Sequence, residues 1–73
     1  MGDNENKLKE IRTKEGLTVA GLARFSKVNE KTIRDIENGR RVSTEVTKRK
    51  IVIGLNNNPG KTRTWEYDEI FGS

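Results

Sequence analysis

LTVAGLARFSKVNEKTIRDIENG, the stretch from Leu17 to Gly39, contains one pattern twice, eleven residues apart. In each copy an apolar residue precedes a Thr or Asn, and a second apolar residue follows four positions later. A Thr or Asn in this place caps a helix, and the two apolar residues pack together as a hydrophobic staple. The pattern predicts two short helices, one from Thr18 to about Phe25 and the next from Asn29 to about Asn38.

Only the residues from Ser26 to Val28 connect these predicted helices. Two short helices joined by so short a turn must cross steeply to bury their apolar residues together, which is helix-turn-helix geometry. The residues expected to meet there are Leu22, Ala23, Val28, Ile33 and Ile36.

The sequence on either side of this unit predicts more helix. A first helix is expected from Asp3 to Glu15 and ends at Gly16, just as Gly39 ends the third. A fourth should begin near Ser43 or Thr44, with Thr47, Ile51 and Leu55 as its inner stripe. Residues 56–63 are expected to form a loop, and 65–71 one or two helical turns that return to the core. The predicted fold is an all-α bundle of about five short helices in a single domain, residues 1–73, with a mobile N-terminus at 1–5.

Composition excludes several functional classes. The 73 residues include no cysteine and no histidine, which removes disulfides, thiolate nucleophiles, imidazole bases and most transition-metal sites. No enzyme activity, metal or cofactor is therefore expected. No apolar run approaches the roughly 20 residues that span a bilayer, so no membrane role is predicted and the chain is expected to be cytoplasmic.

The net positive charge is concentrated in the middle of the chain. Residues 27–50 hold eight basic and four acidic residues, whereas the segments before and after them are nearly balanced. Local positive charge suits a polyanion, because neutralised phosphates release condensed counterions. Exposed lysines on a solvated face are the alternative interpretation.

The outer face of the predicted third helix carries side chains that can read base edges in a major groove. Arg34 and Lys31 can donate to guanine, Glu30 and Asp35 can accept from cytosine or adenine, and Thr32 can meet a thymine methyl or a phosphate. The alternative is a solvated face whose mixed charges pair within the helix. The expected phosphate contacts around it are Thr18, Lys27, Asn38, Arg40 and Arg41. Arg12 and Glu37 are expected to form an internal ion pair.

These residues together resemble the phage repressor and Cro family of helix-turn-helix domains, the family of xenobiotic-response-element-like transcriptional regulators. The resemblance covers about residues 7–56, and its most specific part is Ile36-Glu37-Asn38-Gly39-Arg40 at its distance from Leu22-Ala23. It implies a five-helix bundle that places residues 29–38 in the major groove, with Glu30, Lys31 and Asp35 at the main base-reading positions. It also implies phosphate contacts at Asn38, Arg40 and Arg41, and the pair of Arg12 with Glu37.

Three features depart from that family's pattern. Several members have Gln or Asn at base-reading positions, where this chain has the charged Glu30, Lys31 and Asp35. Family members often have Gln where this chain has Val19, and Gly in the turn where it has Lys27. A left-handed Lys27 would cost roughly 1 kcal/mol.

The function that follows is sequence-specific binding of double-stranded DNA by a repressor-like regulator, expected to act as a homodimer. A protein-interaction module, such as an antitoxin or a bridging coactivator, is the alternative.

Overall fold

A computed structural model of the chain describes residues 6–40 and 44–72. These residues form helices and connecting loops with no strand, as the sequence predicts. Within the same residues, no helix has the length and apolar character needed to cross a membrane. The helices are α1 (Leu8–Lys14), α2 (Val19–Ser26), α3 (Glu30–Glu37), α4 (Glu45–Asn56) and α5 (Tyr67–Phe71).

Both predicted caps are present at the starts of α2 and α3. The Thr18 hydroxyl accepts a hydrogen bond from the Gly21 amide at 2.9 Å, and the Asn29 side chain accepts one from the Lys31 amide at 2.7 Å. These side chains satisfy amide groups that have no partner within their own helix. Local sequence therefore sets where each of the two helices begins.

The first three helices end alike, on a left-handed residue. Gly16, Lys27 and Gly39 have φ angles of 74°, 59° and 68°. After α3, the Gly39 amide donates to Ile36 and the Arg40 amide to Asp35, which is the Schellman arrangement. Gly16 and Gly39 end helices as predicted, and Lys27 takes the left-handed conformation that costs a residue with a Cβ roughly 1 kcal/mol.

The start of α1 differs from the prediction. The expected helical residues Asp3, Asn4 and Glu5 lie outside the described residues, but Asn6 and Lys7 are described and are not helical. The Asn6 side chain accepts a hydrogen bond from the Leu8 amide at 3.0 Å. An Asn that bonds a backbone amide two residues ahead favours a turn over a continuing helix, so α1 begins at Leu8.

One apolar core joins all five helices. Its fully buried members, such as Leu22, Ile33 and Ile51, come from α2, α3 and α4. Ala23 is half-buried and packs against this core. Within residues 6–40 and 44–72, the buried apolar residues are Leu8, Ile11, Leu22, Val28, Ile33, Ile36, Ile51, Leu55, Trp65 and Ile70.

Helix α4 closely approaches the last residue of α2, just before the turn that leads into α3. A Cβ added at Gly54 would lie 2.6 Å from the Cβ of Ser26 and 2.7 Å from its Cα and N. Ser26 itself is buried and donates its hydroxyl to the Leu22 carbonyl at 2.6 Å. Only glycine fits at position 54 while α2 stays where it is.

Helix α4 and the chain after it follow the predicted outline with small shifts. Thr44 caps α4, while the predicted alternative Ser43 lies outside the described residues. Thr47 is only half-buried, unlike Ile51 and Leu55. Asn56 belongs to α4 instead of the loop, and its side chain makes two hydrogen bonds with the Trp65 backbone.

A buried carboxylate, which was not predicted, holds the loop between α4 and α5. Glu15 accepts hydrogen bonds from the Thr62 amide, the Thr62 hydroxyl and the indole nitrogen of Trp65. Asn58 also donates to the Glu15 carbonyl. The Thr62 hydroxyl makes the largest contribution to a lowered pKa of the Glu15 carboxyl, which burial opposes. The carboxylate thus anchors this loop to the end of α1.

Candidate nucleic-acid interface

Helix α3 has one buried face and one exposed face. Ile33 and Ile36 point into the core. On the other side, the side chains of Lys31 and Arg34 are 82% and 61% exposed, and that of Glu30 is 48% exposed. The core therefore presents the charged face of α3 outward, as a recognition helix requires.

The other two predicted base-reading residues lie deeper. Thr32 is half-buried, and the Asp35 side chain is only 18% exposed. Burial thus separates these two residues from Lys31 and Arg34, whose side chains are mostly exposed. The long basic side chains therefore reach furthest from the surface of α3.

The charges on this face pair within the helix. Arg34 Nη2 lies 3.5 Å from Glu30 Oε1, and Lys31 Nζ lies 3.3 Å from Asp35 Oδ2. Each pair spans four residues, and exposed pairs of this kind contribute only about 0.3–0.5 kcal/mol. The outer face is therefore electrically balanced in the free protein, and a ligand can exchange these pairs for new ones at little cost.

Exposed polar residues border α3 at both ends. Lys27 precedes it in the left-handed turn, and Asn38 and Arg40 follow it. Thr18 is exposed at the start of α2, but its hydroxyl oxygen already caps that helix. Arg41, the fifth predicted phosphate contact, lies outside the described residues.

A mostly buried ion pair holds the end of α3 against α1. Arg12 Nε donates to Glu37 Oε2 at 2.5 Å and Arg12 Nη2 to Glu37 Oε1 at 3.3 Å, with the side chains 11% and 5% exposed. Arg12 also donates to the Leu17 carbonyl, and Asn6 donates its amide to the Ile36 carbonyl. This role of Asn6 was not predicted, because the expected first helix ran from Asp3 to Glu15 and included Asn6.

In the part of the chain that the structure describes, no three carboxylates come together in a way that could hold a metal ion. The side chains that converge near α3 are cations, paired carboxylates and amides. Such groups recognise a ligand through hydrogen bonds and charge.

The chain belongs to the helix-turn-helix domain family, whose family model matches residues 6–53. The match includes α1, α2, α3 and most of α4, so it contains both the turn at Lys27 and the exposed face of α3. Members of this family are typically DNA-binding domains, and the DNA-binding form places its second helix in the major groove. No curated protein and no solved structure gave a significant match.

Proposed function

We propose that this protein binds double-stranded DNA sequence-specifically and regulates transcription as a repressor-like factor. The observation that carries the proposal is the position of α3: it follows a left-handed turn, is packed by Ile33 and Ile36, and exposes its charged face. A helix of 10–12 Å diameter fills a major groove about 12 Å wide. An outward face of this kind is therefore suited to reading bases.

In the proposed complex, base edges replace the intrahelical ion pairs. Arg34 and Lys31 donate to the O6 and N7 atoms of guanine, and each good bidentate contact discriminates by about 1–3 kcal/mol. Glu30 and Asp35 accept from the amino groups of cytosine or adenine. Thr32 meets a thymine methyl or a phosphate at the edge of the face.

Phosphate contacts set the register of α3 on the duplex. We assign these contacts to Thr18 and Lys27 before α3, and to Asn38, Arg40 and Arg41 after it. Thr18 retains a hydroxyl hydrogen to donate, because its cap uses the oxygen as an acceptor. The cations supply affinity that the balanced outer face of α3 lacks.

The proposed assembly is a homodimer on a two-fold operator, with half-sites one helical turn apart. Each copy acts as a single domain in the cytoplasm, encoded by a bacterium, an archaeon or a phage. Dimer contacts need exposed apolar surface, and Phe25, Val52 and Ile53 are apolar residues that could supply it. Phe25 and Val52 are half-buried, while Ile53 is 57% exposed. Ile53 is therefore the best supported of the three as a dimer contact.

A protein-interaction module is the second candidate function. The intrahelical pairs leave the outer face of α3 without excess positive charge. In addition, Val46 and Ile53 expose 63% and 57% of their surface on α4. An antitoxin or a bridging coactivator would use such apolar surface to bind a protein.

Selection of random duplex DNA with the purified chain, at low and at moderate salt, tests the proposed function. We expect an enriched two-fold motif at both salt concentrations. Arg34→Ala should lose preference at one position of each half-site, whereas Lys61→Ala should keep the whole motif. Binding without any motif that disappears at moderate salt would contradict the proposal and favour the protein-interaction module.

A further inference from the structure

An open groove lies beside the amino end of α3, between it and the outer side of α2. Its volume is about 470 Å³, and its lining is Ala20, Ala23, Arg24, Val28, Asn29 and Glu30. None of the predicted phosphate contacts lines it. The groove is thus a separate feature that adjoins the base-reading face at Glu30.

Arg24 is the cation of this groove. It is exposed, and it forms no ion pair with any residue in the ranges 6–40 and 44–72. The carboxylate on the opposite wall, Glu30, pairs with Arg34 along α3. Arg24 therefore gives the groove an uncompensated positive charge.

Two other residues that line the groove leave room for an anion and provide a hydrogen-bond donor. Ala20 lies one helical turn before Arg24 and is exposed, so only a methyl group stands there. The Asn29 side-chain oxygen is used by the Lys31 amide, but its NH₂ group makes no hydrogen bond to a described residue. Arg24 and Asn29 thus bring a guanidinium and an amide NH₂ to the lining of one groove, and such donors suit the oxygens of a phosphate.

We propose that Arg24 binds a backbone phosphate of the DNA that α3 reads. This inference rests on the proposed function. When α3 fills the major groove, the phosphates of the bordering strands pass along both of its sides. The groove flanks α3 at its amino end, so Arg24 meets a strand opposite to the contacts made beyond Gly39. Arg24 positions α3 and reads no base.

The test compares affinity for the selected duplex over a range of salt concentrations. Arg24→Ala should reduce the dependence of log affinity on log salt by about one unit, as expected for the loss of one phosphate contact. The ratio of wild-type to variant affinity should then shrink by about 3.5-fold between 50 and 200 mM salt. Arg24→Lys should keep the wild-type slope.

Lys61→Ala is the matched control, because it removes one exposed charge from the loop after α4. Its salt slope should stay close to that of the wild type. Equal slopes for Arg24→Ala and Lys61→Ala would overturn the inference while the proposed function stands. A changed base preference with an unchanged slope would also overturn it, in favour of base reading by Arg24.

A methylphosphonate scan identifies the phosphate and separates the two proposals. Neutral substitution at one backbone position should weaken the wild type and leave Arg24→Ala unaffected. If Arg24→Ala and the methylphosphonate substitution lower the affinity additively at every backbone position, Arg24 makes no direct phosphate contact. If wild-type protein selects no motif, the proposed function fails, and the inference fails with it.

Discussion

Arg12 and Glu37 join the middle of α1 to the last residue of α3 through two hydrogen bonds between side chains 25 positions apart in sequence. The same arginine donates to the Leu17 carbonyl, at the start of the segment that leads into α2. One guanidinium thus fixes α3 relative to both preceding elements. A buried pair sets orientation more reliably than it adds stability.

Glu37→Ala should destabilise the fold by about 3 kcal/mol, because it leaves the Arg12 guanidinium mostly buried without its carboxylate. Urea denaturation followed by circular dichroism measures this loss. Replacing both partners with apolar residues, as Arg12→Met with Glu37→Leu, should be less destabilising than Glu37→Ala alone. An unchanged urea midpoint for Glu37→Ala would mean that the pair is not buried in solution.

Lys27→Gly should stabilise the fold by roughly 1 kcal/mol, because glycine adopts the left-handed conformation without a Cβ penalty. The same substitution should weaken DNA binding, most strongly at low salt, if Lys27 contacts a phosphate. Thermal unfolding and a duplex titration measure the two effects. Gly39→Ala is the matched opposite, and it should destabilise the fold. A loss of stability in Lys27→Gly would contradict the strained turn.

Glu15 should make stability depend on pH in the acid range. Its pKa is lowered from the ordinary value of 4.5, chiefly by the Thr62 hydroxyl, so the folded state favours the carboxylate. The stabilisation is complete above pH 4.5 and is lost as the pH falls through the lowered pKa. Trp65 donates to the same carboxylate, so its fluorescence reports the change.

Glu15→Gln is the test of this dependence. The variant should be less stable at neutral pH and should lose part of the acid dependence of the wild type. Some dependence should remain, because the Glu66 backbone amide and Arg63 also lower the pKa of Glu69. If the stability of Glu15→Gln depends on pH as that of the wild type does, protonation of Glu15 does not weaken the fold through its contacts with Thr62 and Trp65.

Local signals made much of the fold predictable from sequence. Thr18 and Asn29 cap their helices through backbone amides two or three residues away, and Gly16 and Gly39 end helices through their own conformations. Such features depend on neighbouring residues alone. The spacing of Val28, Ile33 and Ile36 then predicted which side of α3 faces the core, and so which residues it exposes.

Features that depend on distant residues were missed. Gly54 packs against Ser26, 28 positions earlier, and nothing near it in sequence indicates that contact. The position of Glu15 is a weak indication of a contact, since a carboxylate at the carboxyl end of a helix interacts unfavourably with the helix dipole unless other groups stabilise its charge. That its partners are Thr62 and Trp65 follows only from the path of the loop. The groove beside Arg24 was not predicted, because residues of both α2 and α3 line it.

Glu30→Gln should raise the affinity for DNA of random sequence, because it frees Arg34 from its intrahelical pair and removes one negative charge from the outer face. It should also relax base choice at the position that Glu30 reads. Glu10→Gln on α1 is the matched control, because it removes an equal charge away from α3. Equal gains in both variants would mean that only net charge matters.

The most direct test of base reading by α3 is an NMR titration of the labelled protein with the selected duplex. The largest amide shifts should fall within residues 24–40, with Arg34 and Lys31 among them, while α5 stays nearly unchanged. Shifts centred on Val46, Ile53 and Tyr67, with α3 unaffected, would contradict it and assign binding to the face formed by α4 and α5.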